Sequence, residues 1–248
     1  MKISIISNDK RYEILNQLLN ERGYQSRIVS FSESIKADAL ILPIKSAISD
    51  NEYKNIFLNA DNSTLVFSPQ AESISKFFKG RIIEYPNDED FLEKNAYITA
   101  ECALQIILCR LEKSLLHSKI LVLGYGRIGK ALSDMLSSLN ADVYIYARRL
   151  DSQTEALRKN LSVRDISCIE NEFFDVIVNT VPCKIVSEAQ TEYLSKNTVL
   201  IELASSPGGF ENEKNVEKAL GLPGKMKSYS AALAIYDFIN KYLSSERI

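Results

Sequence analysis

Histidine is almost absent from this chain of 248 residues, in which His117 is the single imidazole. Reactions that need a positioned histidine base are therefore constrained to that residue, and a metal site built from two or more imidazoles has no ligands to use. The four cysteines form no CxxC pair and lie in no cysteine–histidine cluster. The sequence thus predicts reduced thiols, with neither a disulfide framework nor a bound metal.

The chain also lacks a charge excess and any long apolar run. Its formal net charge is −2, so no basic field would recruit nucleic acid or an acidic membrane surface. No apolar run approaches the length of a membrane span. The amino terminus, MKISIIS, reads as an apolar strand without the charged start, apolar core and cleavage site of a signal peptide, and we expect a cytoplasmic protein.

Strand and helix patterns alternate along the whole sequence, which is typical of α/β proteins with parallel sheets. We predict two domains, a Rossmann-type doubly wound parallel sheet preceded by a smaller flavodoxin-like α/β domain. The first should cover residues 1–95, with a carboxy-terminal helix at 228–248 packing back on it, and the second residues 96–227. The acidic segment at 87–96 is interpreted as the boundary, followed by a bridging helix over 99–116.

The segment with the most chemical content is GYGRIG, which follows the apolar strand KILVL and opens a helix. In such a motif the first glycine permits a tight turn, the second lets the backbone approach a pyrophosphate, and the third lets helix and strand pack closely. The helix start offers N–H groups and a positive dipole end to phosphates. A glycine-rich turn that binds nothing is the alternative, but the order strand, motif, helix, strand favours dinucleotide binding. The predicted cofactor contacts are Gly124, Gly126, Arg127, Ile128 and Gly129.

Arg148 and Arg149 end the next predicted strand, VYIYA, where many nucleotide-binding chains carry Asp or Glu. An acid there would bond the ribose hydroxyls of NAD and repel a 2′-phosphate, whereas a guanidinium pairs with phosphate and stacks on adenine. We therefore predict NADP as the cofactor, with NAD kept as the alternative. One or both arginines could instead only solvate a loop.

Two further segments would line the same cleft if the sheet is doubly wound. NTVP places Asn179, Thr180 and Pro182 at a carboxyl strand end, where a cofactor crosses the sheet. ELASSPGGF places Ser206 and its neighbours just beyond the following strand. Ordinary turn chemistry is the alternative for both, because proline and glycine punctuate loops in general.

Together these motifs resemble the family of the A-type subunit of dipicolinate synthase, the NAD(P)-binding component of the enzyme that makes spore dipicolinate. The resemblance rests on the order and spacing of NAYITAE, VLGYGRIG, ARR, NTVP, LASSPGG and GLPGK, which begin at residues 95, 122, 147, 179, 203 and 221. LASSPGG followed by GLPGK is more specific than the glycine motif, which many dehydrogenases share. The domain arrangement is also similar to that of 2-hydroxyacid dehydrogenases.

The resemblance implies oxidation of a dihydrodipicolinate-type ring to pyridine-2,6-dicarboxylate during spore formation, with hydride transfer to NADP and with a flavoprotein-like partner, the B-type subunit. This chemistry requires cations that hold two carboxylates and a base that accepts a ring proton. Arg11 and Lys225 are the preferred cations, and Glu101 or Asp9 the base. For Glu101 the alternative is a first-turn carboxylate that satisfies helix N–H groups. Further candidates for contacts with substrate are Thr99, Ser206, Lys45 and Lys184.

Two other functions remain open at this level. One is another NADP-dependent oxidoreductase of the hydroxyacid or imine type, although hydroxyacid dehydrogenases pair a histidine with an acid after the last Rossmann strand and this chain has only His117. The other is a non-catalytic, nucleotide-binding paralogue, which is favoured by Ser7-Asn8-Asp9 where the family has Gly-Gly-Asp. The sequence leaves the oligomeric state open, a homo-oligomer included.

Overall fold

The computed structural model describes residues 1–7, 9–33, 35–44, 48–194 and 198–244. The chain forms two compact units, Met1–Asn95 with Pro223–Ile248, and Ala96–Leu222. The strands are β1 (Lys2–Ile6), β2 (Gln25–Val29), β3 (Ala39–Ile41), β4 (Leu65–Ser68), β5 (Ile82–Glu84), β6 (Lys119–Leu123), β7 (Asp142–Tyr146), β8 (Ser162–Val163), β9 (Val176–Asn179), β10 (Val199–Glu202) and β11 (Val216–Lys218).

The helices separate these strands in chain order, and a short 3-10 turn at Tyr85–Asn87 follows β5. They are α1 (Lys10–Glu21), α2 (Asp50–Phe57), α3 (Ala71–Ile74), α4 (Glu89–Arg110), α5 (Arg127–Ser138), α6 (Leu150–Arg158), α7 (Cys168–Asn171), α8 (Glu188–Leu194), α9 (Leu222–Met226) and α10 (Ser228–Leu243). No helix in the described ranges combines the length and apolar character needed to cross a bilayer.

The sheet of the first unit has the described strands in the order β2-β1-β3-β4-β5, and every pairing is parallel. This is the flavodoxin-like order. All residues of β3 and β4 are buried, as expected for strands covered on both faces. The chain leaves β1 for β2 on one side and pairs β1 with β3 on the other. The topological switch point of this sheet therefore lies at the carboxyl ends of β1 and β3.

The sheet of the second unit has the described strands in the order β8-β7-β6-β9-β10-β11, again with parallel pairing throughout. Numbered within the unit, this is the Rossmann order 3-2-1-4-5-6. The predicted fold class, a doubly wound Rossmann domain preceded by a flavodoxin-like domain, is confirmed. Strands β6, β7, β9 and β10 and helix α5 lie within one or two residues of their predicted limits.

The prediction for the bridging segment is wrong at both ends. Helix α4 begins at Glu89, inside the acidic stretch interpreted as a boundary, and it ends at Arg110. Asp88 Oδ1 accepts a hydrogen bond from the backbone N–H of Phe91 over 2.8 Å, and Glu89 and Asp90 occupy the first turn. These acids stabilise the positive end of the helix dipole, so their clustering marks a helix start.

The chain passes from the first unit to the second between Asn95 and Ala96, within α4, and returns at Pro223. The sequence placed the return after residue 227. Residues 223–227 group with the first unit because Gly224 lies against the side chains of Asp9 and Arg11. Helix α6 also starts earlier than predicted, at Leu150.

Helix α10 completes the core of the first unit. Phe238 is almost fully buried, with its ring centroid 5.0 Å from that of Tyr85, 5.7 Å from Phe91 and 6.0 Å from Phe67. The opposite face of the helix packs on α1. The last helix is therefore structurally part of a unit whose other elements come from the first 95 residues.

Replacing Phe238 with alanine should destabilise the protein by about 3–5 kcal/mol, because the large buried ring leaves a cavity among three other aromatic rings. The free energy of unfolding of the first unit, measured by denaturant titration, tests this. Tyr229→Ala on the same helix is the matched control, since Tyr229 is 59% exposed and its loss should change stability by about 0.5 kcal/mol or less. Equal losses in the two variants would contradict the packing described.

Candidate functional site

The turn between β6 and α5 is shaped by two glycines that the protein itself requires. Gly124 has a φ of +102°, and a Cβ there would lie 2.5 Å from Thr180 Oγ1. A Cβ on Gly129 would overlap the carbonyl oxygen of Gly124. The first glycine thus permits a left-handed turn against the end of β9, and the last lets α5 approach the strand it follows.

Gly126 differs from both. Its φ of −85° is open to any residue, and a Cβ would meet no atom of the protein within 4 Å. The residue is exposed and is the N-cap of α5, where it offers no side chain to the helix. Neither backbone conformation nor packing requires glycine here. The space it leaves lies outside the fold, at a helix N-terminus, which fits the close approach of a phosphate group. Arg127 is exposed beside it and Ile128 is half-buried.

The end of β9 is held tightly against this turn. The backbone N–H of Thr180 donates to the carbonyl oxygen of Leu123 over 2.8 Å, and its hydroxyl donates to the same oxygen over 2.9 Å. Asn179 is fully buried. Its Nδ2 donates to the carbonyl oxygen of Val181 over 2.9 Å, and its Oδ1 accepts from the Val181 N–H over 3.1 Å. The side chain of Asn179 therefore shapes the turn from inside, whereas Pro182 is exposed on it.

The two arginines after β7 are in different situations. The guanidinium of Arg149 holds both oxygens of Asp151, with Nε 3.0 Å from Oδ1 and Nη2 on Oδ2. These hydrogen bonds raise the pKa of Arg149 and lower that of Asp151. Arg148 is exposed, and within the described ranges no hydrogen bond or ion pair engages its side chain. Arg148 is thus the arginine that is available to an anion.

A second charged group lies in the first unit, at the switch point of its sheet. Arg11 is only 6% exposed. Asp9 Oδ1 accepts from the backbone N–H of Arg11 over 3.1 Å and from Nε over 2.9 Å, and Oδ2 accepts from Nη2 over 2.6 Å. Burial alone would lower the pKa of Arg11, but the Asp9 hydrogen bond outweighs it and the pKa is raised. Asp9 is the N-cap of α1 and the partner of Arg11, a different role from the ring-proton base proposed from the sequence.

Helix α9 brings the GLPGK segment to the same place. A Cβ on Gly224 would lie 2.9 Å from Arg11 Nε and 2.8 Å from Asp9 Oδ2, so only glycine lets this backbone contact the buried ion pair. Lys225 follows and is exposed. The two preferred cations, Arg11 and Lys225, therefore lie in one neighbourhood of the first unit.

The remaining predicted substrate residues are scattered. Thr99 is buried and Glu101 half-buried, both in the middle of α4. The alternative that Glu101 is a first-turn carboxylate is therefore wrong, because the helix begins twelve residues earlier, at Glu89. Ser206 is exposed in the loop after β10. Lys184 of the second unit donates to the carbonyl oxygen of Phe210, and Lys45 lies outside the described residues.

Two polar side chains near the glycine turn were missed from the sequence. Glu202 ends β10 with its carboxylate buried, and Asn179 Nδ2 donates to its Oε1 over 2.7 Å. An acid inside the apolar run TVLIELA was the available signal. Tyr125, inside the glycine motif, has a buried hydroxyl without a hydrogen-bond partner in the described ranges, and burial raises the pKa of this phenol.

The parallel sheet in Rossmann order, the glycine turn at a helix start and the ligand-sized space at Gly126 define an NAD(P)-dependent oxidoreductase fold and site. Residues 108–227 match the family model of the NAD-binding domain of D-isomer specific 2-hydroxyacid dehydrogenases. The enzyme class predicted from the sequence is confirmed, and the cofactor is a nicotinamide dinucleotide.

More particularly, the chain is similar to the A-type subunit of dipicolinate synthase. The protein of that name from Bacillus subtilis is 23% identical over 98% of this chain and 96% of its own length. The crystal structure of the corresponding dipicolinate synthase subunit from Bacillus halodurans superposes with a TM-score of 0.79 at 21% identity, covering 98% of this chain and 97% of that one. The resemblance predicted from the motifs is confirmed. A transhydrogenase from Sinorhizobium meliloti shares the fold with a TM-score of 0.71 at 14% identity, covering 98% and 94% of the two chains.

The contrast between the glycines gives a direct test of the turn. Gly126→Ala should lower the free energy of unfolding by no more than about 1 kcal/mol, while NADPH binding measured by calorimetry weakens at least about tenfold, because the methyl group occupies the space left for phosphate. Gly129→Ala is the matched comparison and should destabilise the fold itself by about 1–3 kcal/mol through its overlap with Gly124. Unchanged NADPH affinity in Gly126→Ala would remove this turn from the binding site.

Proposed function

We propose that this protein is the nucleotide-binding subunit of a dipicolinate synthase. It oxidises a dihydrodipicolinate-type ring to pyridine-2,6-dicarboxylate in the cytoplasm of a spore-forming cell. One hydride leaves a ring carbon for NADP⁺ and one proton leaves the adjacent ring position, so that the products are the aromatic diacid, NADPH and a proton. The observation that carries the proposal is the similarity, over both units, to the A-type subunit of dipicolinate synthase, including the paired motifs LASSPGG and GLPGK.

The cofactor is proposed to be NADP because of the charges after β7. No acid follows that strand until Asp151, and the guanidinium of Arg149 already engages Asp151. Arg148 is exposed and available for a 2′-phosphate. When bound, the dinucleotide supplies the hydride acceptor. The chain holds it through the N-terminus of α5, with Gly126, Arg127 and Ile128 at the pyrophosphate and Arg148 at the adenosine phosphate.

The substrate assignment is supported by the cations of the first unit. Arg11 is buried, oriented by Asp9, and adjacent to the segment that carries Lys225. Asp9 engages Nε and Nη2 of the guanidinium, and no described residue bonds to Nη1. A fixed guanidinium and a flexible ammonium suit a compact diacid. Aromatisation makes the oxidation downhill, so positioning matters more than acid–base strength, and Glu101 is the remaining candidate for the ring proton.

The match to hydroxyacid dehydrogenases raises a second candidate, oxidation of a 2-hydroxyacid. Such enzymes need a histidine near the nicotinamide. His117 precedes β6, at the amino edge of the sheet, and its side chain is 75% exposed beside Asp142. That edge is opposite the glycine turn, so this histidine is in the wrong place for hydroxyacid chemistry. The name of the relatives leads us to propose a flavoprotein-like partner, the B-type subunit, and homo-oligomers are compatible with the proposal.

The choice of cofactor can be tested with arginine variants. Arg148→Ala should weaken NADP binding by about tenfold to a hundredfold, the worth of a charge-assisted hydrogen bond, and leave NAD binding unchanged. Arg149→Ala should have a smaller effect, because Asp151 competes for that guanidinium. Arg158→Ala, at the far end of α6, is the matched control. Titration calorimetry with both cofactors decides, and equal loss for NAD and NADP would contradict a 2′-phosphate contact.

The reaction itself can be tested with freshly generated dihydrodipicolinate, NADP and the B-type partner. The absorbance of the pyridine ring should rise together with that of NADPH. Arg11→Lys keeps the charge but loses the planar fork, so KM for the diacid should rise at least about tenfold while the NADP affinity stays constant. Arg27→Lys, exposed on β2, is the control and should change neither. Wild-type protein that binds NADP yet forms no pyridine product would refute this function.

A further inference from the structure

The carboxylate of Glu202 is an unusual group at the end of β10. It is 3% exposed, and within the described ranges no cation pairs with it. Three donors reach its oxygens instead. Oε1 accepts from Asn179 Nδ2 over 2.7 Å and from the Ala204 N–H over 2.9 Å, and Oε2 accepts from the Gly209 N–H over 2.6 Å. Burying a carboxylate is costly, so a fully bonded one usually holds something in place.

The segment held in place is the loop of residues 203–209. Gly208 has a φ of +72°, and a Cβ there would lie 2.8 Å from Glu202 Oε2. A Cβ on Gly209 would lie 2.5 Å from Asn179 Nδ2. Both glycines therefore let the loop backbone lie directly on the Glu202–Asn179 pair. The tip of the loop, with Ser205 and Ser206, remains exposed.

The same hydrogen bonds continue to the glycine turn. Asn179 fixes Val181 through two hydrogen bonds, and Thr180 is bonded to the carbonyl oxygen of Leu123, directly before Gly124. The carboxyl ends of β6, β9 and β10 are thus joined by one continuous set of contacts. In a Rossmann sheet the adenosine half of a dinucleotide binds beside β6 and β7, and the other half crosses towards β9 and β10.

We propose that Glu202 is a positioning residue for the nicotinamide half of the cofactor. By holding Ala204 and Gly209, it fixes the loop that carries Ser205 and Ser206 at the edge where the nicotinamide half crosses the sheet. Glu202 itself touches no ligand. The adenosine half, held by the glycine turn and Arg148, is independent of this loop. The inference rests on the proposed binding of NADP, and it adds a residue that acts through the loop.

Glu202→Gln separates the two halves of the site. Glutamine has nearly the same shape, but its Nε2 would face the Gly209 N–H, placing two donors against each other. NADPH affinity should fall about tenfold, while the affinity for 2′,5′-ADP, which contains only the adenosine half, stays within about twofold. Glu217→Gln on the neighbouring strand β11, where Glu217 bonds Arg110 over 2.6 Å, is the matched control and should change neither affinity.

A second variant approaches the contact from the loop. Gly208→Ala leaves the carboxylate intact but places a methyl group against it, and should reproduce the selective loss of NADPH affinity even if Glu202→Gln fails to fold. Equal losses for NADPH and 2′,5′-ADP would mean that Glu202 only supports the fold, and would overturn the proposal, as would unchanged affinity for both. Wild-type protein that binds neither probe would instead refute the proposed cofactor itself.

Discussion

The contact between the glycine turn and the end of β9 is the constraint on which the second unit depends. Gly124 can lie against Thr180, and Gly129 against the carbonyl of Gly124, only because neither has a side chain. This closeness aligns the start of α5 with the carboxyl edge of the sheet. It also leaves Gly126 facing outward, without a packing reason of its own. The structural and ligand-binding parts of one motif are therefore carried by different glycines.

Most of the fold could be predicted from the sequence where apolar periodicity and glycine placement agree. Strands β6, β7 and β9 and helix α5 are such elements. Strand β8 has two residues and β11 reads Val-Glu-Lys, so neither has an apolar pattern, and each becomes a strand only through its pairing partner. The start of α4 was misread because the same acidic residues suit a solvated linker and a helix N-terminus.

The candidate site was predictable by position more than by orientation. The motif placed Asn179 at the right strand end, but its inward side chain depends on Glu202, which is 23 residues away in the chain. Arg148 and Arg149 are equivalent in the sequence and differ only because Asp151 lies within reach of one of them. Arg11 and Gly224 meet although more than two hundred residues separate them. Such pairings are set by tertiary structure, which local patterns do not encode.

The placement of α10 in the first unit has a consequence for biosynthesis. The rings of Phe67, Tyr85 and Phe91 are covered by Phe238, which leaves the ribosome only after the whole Rossmann segment. At about 5–20 residues per second, the interval between Phe91 and Phe238 lasts roughly 7–30 s. During that time the nascent amino-terminal sheet displays an unshielded aromatic surface, a natural target for chaperones. The unit that begins to be translated first is thus the last to be completed.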